Sequence, residues 1–145
     1  MIKSSTELSN QQKVFLDTSF FKALIDIHDD FHQEAIIIWG EIKNSPMVLM
    51  TTNFILDESF TLIRVKCGLP ISLEFRERLA AGLKRIRILR VITDDEAKAW
   101  DWFINNWSGL SFTDCTSFAF MKRCGISEVA SFDEHFSRAG FKVLG

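Results

Sequence analysis

Five short apolar runs, separated by stretches with helical periodicity, constrain the fold more than any other feature of this sequence. Each run has the length of a buried β-strand, and the segments between the runs place apolar residues three and four positions apart. Such alternation predicts an α/β domain in which helices cover both faces of a parallel sheet. The runs are residues 14–16, 47–50, 86–92, 129–132 and 141–144.

The length and the polar start of the chain predict a single cytoplasmic domain. We predict a flexible lead-in over residues 1–12 and one domain over residues 13–145, because no linker or repeat divides the chain. No apolar run reaches the roughly 18 residues that span a bilayer. The three cysteines form no CxxC pair, which indicates free thiols in a reducing compartment.

Three acidic residues occupy positions where strands end or helices begin. Asp17 follows the first apolar run, Asp133 follows the fourth, and Asp114 opens a predicted helix. Each has an ordinary explanation as a capping or turn residue, and Ser111-x-x-Asp114 has the form of a capping box. Because the strand ends of a parallel sheet meet at one edge, these positions also allow the carboxylates to converge on a divalent cation.

A fourth acid, Glu58, is distinguished by the side of the helix on which it lies. It shares a row with the apolar residues Phe54, Leu62 and Val65, whereas the neighbouring Asp57 shares a polar row. An inward carboxylate needs a partner or a cation, since burying the charge alone is costly. We therefore predict that Glu58 points inward and that Asp57 faces water.

A basic segment contrasts with an acidic remainder. The net charge is −2, but residues 64–90 contain eight Lys or Arg and two Glu, so this segment carries +6 and the remainder −8. Such a segment suits a polyanionic ligand near a cation-binding centre, although solvated helix faces are the simpler explanation of the charges taken alone. Candidate phosphate contacts within it are Lys84, Arg85 and Arg87.

The helix predicted after residues 93–96 carries an apolar stripe. Its spacing predicts core packing in preference to base stacking. Trp102 lies off the stripe and is predicted to be exposed. The stripe consists of Ala99, Trp100, Phe103, Ile104 and Trp107.

Four motifs in order give the chain a pattern that resembles the PIN-domain nucleases, in particular the VapC-type toxins of bacterial toxin–antitoxin pairs. The resemblance covers nearly the whole chain, from about residue 14 to residue 144. Each motif is short, and their order and spacing make the pattern specific. They are VFLDTS at residues 14–19, TTNFILDE at 51–58, LSFTDC at 110–115 and SFDEHF at 131–136.

The resemblance implies a PIN-like three-layer α/β/α fold with a central, mainly parallel sheet. It also implies an endoribonuclease that hydrolyses RNA with Mg²⁺ or Mn²⁺, forms a homodimer and binds a small antitoxin protein. The implied metal-binding and catalytic quartet is Asp17, Glu58, Asp114 and Asp133. Side chains that could orient the quartet are Thr18, Ser19, Asn53 and Thr113.

Two other functions stay open at this point. A catalytically silent PIN-like module would bind RNA or protein, and the intact acidic quartet argues against it. A phosphotransfer domain of the receiver or haloacid-dehalogenase type also has an aspartate after its first strand. However, Ser19 stands where the dehalogenase type has a second aspartate, and Asp17 lacks the acidic neighbours of a receiver site. We rank the phosphotransfer domain last.

Overall fold

Five strands alternate with seven helices in a computed structural model of the chain, which describes residues 11–82 and 85–144. Most of the lead-in predicted over residues 1–12 therefore lies outside the described residues. None of the helices in these two ranges combines the length and apolarity that crossing a membrane requires. The strands are β1 (Lys13–Leu16), β2 (Val48–Thr52), β3 (Ile86–Leu89), β4 (Glu128–Ala130) and β5 (Lys142–Val143). The helices are α1 (Thr18–Ile25), α2 (His32–Lys43), α3 (Asn53–Cys67), α4 (Leu69–Ala81), α5 (Thr93–Phe103), α6 (Phe112–Arg123) and α7 (Glu134–Arg138).

The strands form one parallel sheet in the order β3-β2-β1-β4-β5. Strand β1 lies at the centre, where Phe15 pairs with Met50 of β2 and Val129 of β4. Val14, Phe15 and Leu16 are fully buried, as expected for a strand covered on both faces. The predicted fold class, an α/β domain around a parallel sheet, is confirmed.

The strand order reverses direction beside β1. The chain runs from β1 to β2 and β3 on one side and then crosses to β4 and β5 on the other. Because crossovers between parallel strands are right-handed, α1 to α4 cover one face and α5 to α7 cover the opposite face. Contacts of α1 with α2 and α3, and of α6 with α5 and α7, agree with this arrangement. The two helix layers part at the carboxyl ends of β1 and β4, where open α/β sheets bind ligands.

Phenylalanine supplies much of the core that holds this edge in place. Phe118 of α6 meets Phe136 of α7 edge to face with 5.1 Å between ring centroids, a favourable arrangement of aromatic rings. Helix α6 is buried at every position from Asp114 to Met121, so the start of this helix is held rigidly. The fully buried phenylalanines are Phe15, Phe20, Phe118, Phe120 and Phe136.

Of the core stripe predicted for helix α5, Ala99 and Trp107 pack in or against the core, but Trp100, Phe103 and Ile104 are exposed. Trp100 is 54% exposed, whereas Ala99 beside it is fully buried. Trp102, predicted to be exposed, packs on Phe118 with 5.7 Å between ring centroids. The helix ends before Trp107, which lies in the loop that leads to α6.

A buried charge accounts for this difference. Asp95 is 1% exposed, and its two carboxylate oxygens accept hydrogen bonds from the guanidinium of Arg123 at 2.8 and 2.9 Å. Asp95, Ala99 and Trp102 follow the i, i+4, i+7 spacing of one helix face, and α5 packs on α6 through this face. A hydrophobicity pattern excludes an aspartate from the core, so the predicted stripe was rotated around the helix.

Candidate metal centre

Asp17 follows β1 directly and is held by two serines at the point where the strand order reverses. Its Oδ2 atom accepts hydrogen bonds from Ser19 Oγ at 2.9 Å and from Ser131 Oγ at 2.8 Å. Ser131 Oγ also accepts a hydrogen bond from the Asp133 backbone N–H at 3.0 Å, so it joins the ends of β1 and β4. Asp17 is 3% exposed and is also the N-cap of α1. Asp17 therefore caps α1 and is buried at the same time.

Glu58 reaches the same edge from helix α3. Its Oε2 atom accepts a hydrogen bond from Thr18 Oγ1 at 2.8 Å, whereas Asp57 is exposed. The predicted orientations of both acids are confirmed. The row on which the prediction relied is not the buried one, because Val65 is 73% exposed. The buried side of α3 is formed by Ile55, Ser59 and Ile63.

Asp114 and Asp133 are both fixed by hydrogen bonds at the N-terminus of a helix. Asp114 and Ser111 form the predicted capping box, with Asp114 Oδ2 accepting from Ser111 N and Ser111 Oγ accepting from Asp114 N. Asp133 is the N-cap of α7, where its Oδ1 accepts a hydrogen bond from the His135 backbone N–H at 2.9 Å. Asp114 is 6% exposed, so its carboxylate has little access to water.

Burial and repulsion from neighbouring carboxylates disfavour the charged forms of Asp17, Glu58 and Asp114. The pKa of Asp17 is raised to about 6, chiefly by burial and further by the charges of Glu58 and Asp133. The pKa of Asp114 is raised to about 7, again chiefly by burial and then by the charges of the other three acids. Burial also raises the pKa of Glu58. The four carboxylates therefore form one electrostatic cluster, and a bound divalent cation would offset the cost of both effects.

Two residues that the sequence reasoning did not select belong to this cluster. Ser131 bridges two of the acids, as described above. His135 places its Nδ1 atom 2.9 Å from Asp133 Oδ1 and 3.5 Å from Asp114 Oδ2. One ligand atom from each of Asp114, Asp133 and His135 lies within 4.8 Å of the others. Both residues lie in the SFDEHF motif. Their closeness to Asp133 in the sequence is the signal that could have selected them.

The predicted orienting residues divide into two pairs. Thr18 and Ser19 hydrogen-bond the carboxylates, as described above. The Asn53 side chain instead accepts a hydrogen bond from the Val91 backbone N–H at 2.8 Å and so ties the segment after β3 to the start of α3. The Thr113 backbone carbonyl accepts hydrogen bonds from the hydroxyls of Thr116 and Ser117, one turn later in α6.

The three predicted RNA contacts also differ from one another. Arg87 is exposed on the edge strand β3, and Lys84 lies outside the described residues. The guanidinium of Arg85 donates hydrogen bonds to four backbone carbonyls at the end of α2 and the entry to β2. Arg85 precedes β3, so it lies at the amino end of the sheet, opposite the carboxylate cluster. The structure therefore gives this guanidinium a structural role, and the RNA contact predicted for it has no support in these contacts.

Comparison with known proteins gives consistent matches over nearly the whole chain. The PIN domain family model matches residues 14–142. A Mycobacterium tuberculosis protein named 23S rRNA-specific endonuclease VapC20 is 38% identical over 133 residues, covering 88% of this chain and 95% of that protein.

Solved structures agree with these sequence matches. The crystal structure of M. tuberculosis VapC20, described as a sarcin–ricin loop cleaving toxin, superposes with a TM-score of 0.75 at 35% identity, covering 88% of this chain and 95% of that one. FitAcB from Neisseria gonorrhoeae has a TM-score of 0.66 at 16% identity, covering 91% and 96% of the two chains. VapBC2 from Rickettsia felis, solved bound to a promoter DNA fragment, has a TM-score of 0.62 at 11% identity, covering 91% and 97%. The last two similarities concern the fold alone.

Proposed function

Because this chain belongs to the PIN-domain family, we propose that it is a cytoplasmic, divalent-metal-dependent endoribonuclease of the VapC toxin type. The observation that carries the proposal is the meeting of Asp17, Glu58, Asp114 and Asp133 at the reversal point of the sheet. Acids such as Asp17 and Asp114, whose pKa values are raised by burial and by neighbouring carboxylates, are costly to maintain for stability alone. Their presence supports a site that binds a cation.

The donor set fits Mg²⁺ or Mn²⁺. Carboxylate oxygens are the ligands that these ions favour, and the buried Asp17 and Asp114 have limited water to compensate their charges. A bound ion would supply Lewis-acid stabilisation of phosphodiester charge and a more acidic water. The chain's own residues hold the carboxylates in position: Ser19 and Ser131 fix Asp17, and Thr18 fixes Glu58.

We propose that this chain cleaves the same class of RNA as its M. tuberculosis homologue. That protein is named for cleavage of 23S rRNA, and its structure is described as that of a sarcin–ricin loop cleaving toxin. Identity of 38% over nearly both full lengths supports the same class of substrate. Among the predicted RNA contacts within the described residues, Arg87 is exposed and therefore available to a phosphate.

Cleavage of an oligonucleotide that carries the 23S rRNA sarcin–ricin loop tests this function directly. With Mg²⁺ or Mn²⁺ we expect one cut within the loop, and EDTA should abolish it. Hydrolysis by water leaves a 5′-phosphate and a 3′-hydroxyl, which end-labelling distinguishes from the 2′,3′-cyclic phosphate left by 2′-hydroxyl attack. The control is an oligonucleotide with the same stem and a scrambled loop.

The outcomes separate the candidate functions. A 2′,3′-cyclic product would contradict metal-assisted hydrolysis by water. Binding of the loop without cleavage, by protein shown to hold metal, would favour a catalytically silent RNA-binding module. Equal cleavage of the scrambled loop would keep the nuclease and reject the proposed substrate.

An antitoxin and a second copy of the chain are the proposed protein partners. A groove of about 1050 Å³ bordered by α1, α2 and α4 is lined mainly by apolar side chains, among them Phe21, Ile36 and Trp39, and its wall also carries both acidic and basic side chains. An amphipathic segment of an antitoxin would bury its apolar side there.

Two adjacent isoleucines provide a matched test of this groove. Ile36 lines it and Ile37 does not, and both are partly exposed. Ile36→Glu should weaken binding of the cognate antitoxin by on the order of 10-fold or more, because a charge would be buried against apolar surface. Ile37→Glu should leave the affinity unchanged in the same titration, and equal loss in both variants would reject the groove. Light scattering of the free chain should give twice its 16.7 kDa mass if the homodimer forms.

A further inference from the structure

His135 is buried beside the carboxylates with its ring tautomer fixed by a backbone carbonyl. The residue is 5% exposed, and its Nε2 atom lies 2.8 Å from the carbonyl oxygen of Ser108. A carbonyl only accepts hydrogen bonds, so Nε2 carries the hydrogen. In the neutral ring the lone pair is then on Nδ1, as in histidines whose other nitrogen is oriented by a hydrogen bond for metal binding.

The loop between α5 and α6 holds the ring in this orientation. The Trp107 ring lies nearly parallel to it, at 9° and 6.4 Å between centroids, and the Arg138 guanidinium lies 4.9 Å from the centroid of Trp107. Gly109 has a φ of 72°, which other residues rarely adopt, and a Cβ there would lie 3.8 Å from His135 Cε1. The ring is therefore positioned by its surroundings before any ligand binds.

The Nδ1 atom is buried and makes no hydrogen bond within the described residues. It nevertheless lies 2.9 Å from Asp133 Oδ1 and 3.5 Å from Asp114 Oδ2. A lone pair this close to two carboxylate oxygens is repulsive, and either a metal ion between them or a proton on Nδ1 would relieve that repulsion. Ligand atoms about 2.1 Å from one ion are separated by about 3 Å when adjacent and by up to about 4.2 Å when opposite, and the separations of 2.9 and 3.5 Å fall in this range.

We propose that His135 Nδ1 is a direct ligand of the metal ion, together with Asp114 and Asp133, and that this nitrogen makes the site prefer Mn²⁺ over Mg²⁺. Imidazole is a poor ligand for Mg²⁺, which favours oxygen, whereas transition-metal ions bind it well. The inference rests on the metal centre of the proposed function and does not depend on which RNA is cut. A protonated ring that only balances the carboxylate charges is the competing role.

Pulsed electron paramagnetic resonance of Mn²⁺ bound to the full chain, without RNA, tests the ligand directly. A coordinated imidazole gives the Mn²⁺ signal a ¹⁴N coupling, which we expect in the wild-type protein. His135→Gln keeps an amide that can donate to the Ser108 carbonyl but removes Nδ1. We expect this variant to lose the ¹⁴N coupling and to bind Mn²⁺ on the order of 10- to 100-fold more weakly by calorimetry. Its affinity for Mg²⁺ should change much less.

The control is His28→Gln, which alters an exposed histidine and should keep both the coupling and the affinity. Stoichiometric Mn²⁺ binding to wild type without ¹⁴N coupling would overturn the inference and leave the carboxylate site intact. Coupling that persists in a folded His135→Gln variant would do the same. If the wild-type chain binds no Mn²⁺, the metal centre itself is rejected and this inference with it. The wild-type spectrum decides the question even if the variant fails to fold.

Discussion

Asp17→Asn is expected to reduce RNA cleavage by on the order of a thousandfold while leaving the fold intact. Loss of a metal ligand at the reacting centre removes several kcal/mol of charge stabilisation, and a thousandfold corresponds to about 4 kcal/mol. The asparagine retains an oxygen that can accept the hydrogen bonds of Ser19 and Ser131. Single-turnover cleavage of the sarcin–ricin oligonucleotide, at saturating enzyme, measures the effect.

The same substitution should make the metal-free protein more stable at neutral pH. Burial raises the pKa of Asp17 to about 6, so protonation favours the folded state. That stability is fully present below the unfolded pKa near 4 and is lost as pH rises through about 6. Asparagine stays neutral throughout, so its advantage should grow across this window to about 2 to 3 kcal/mol above pH 7. Urea unfolding in EDTA at pH 5 and pH 8 measures it.

Asp57→Asn is the matched control for both measurements, because Asp57 is an exposed acid one residue from Glu58. It should change neither the cleavage rate nor the stability by more than about 0.5 kcal/mol. If Asp17→Asn instead destabilised the protein and kept its activity, the carboxylate would be a structural cap alone. A thousandfold loss in both variants would point to a general electrostatic effect rather than to a ligand.

Arg85→Gln is expected to destabilise the protein by about 3 kcal/mol. The guanidinium donates to the carbonyls of Ile42, Lys43, Ser45 and Met47 at 2.6 to 3.2 Å, at the end of α2. The carbonyls at a helix end lack partners within the helix and carry partial negative charge. Hydrogen bonds from a charged donor contribute about 1.5 to 3 kcal/mol each when buried, and partial exposure reduces the total. Urea unfolding followed by circular dichroism gives the change.

Arg87→Gln should weaken RNA binding and leave the stability of the protein almost unchanged. Arg87 is exposed on β3, so its loss should change stability by less than about 0.5 kcal/mol. If it contacts a phosphate, RNA binding should weaken and the dependence of log affinity on log salt should fall by about one. Arg85→Gln should leave that salt dependence unchanged. Loss of RNA binding in a stable Arg85→Gln variant would reject the structural role of Arg85.

Local sequence signals were sufficient to predict the strands and the helix starts of this protein. Short apolar runs and capping residues are features of a few consecutive residues, so the strands and the helix starts at Asp17, Asp114 and Asp133 could be located from the sequence. The convergence of these acids followed from the parallel sheet, whose strand ends share one edge. The orientation of Glu58 was predicted correctly, although the row taken as its reason is only half-buried and includes the exposed Val65.

The remainder depended on contacts between residues far apart in the chain. Asp95 is buried because it forms an ion pair with Arg123. The guanidinium of Arg85 donates to backbone carbonyls about 40 residues earlier in the chain, and the ring of His135 is oriented by the carbonyl of Ser108. A pattern of hydrophobic and charged residues assigns such side chains to solvent, since it does not contain their partners. The sequence by itself determined the parallel sheet and the acids at its edge. Only the tertiary structure decided which polar groups are buried there, because a buried charge or lone pair is tolerated only where a distant partner compensates it.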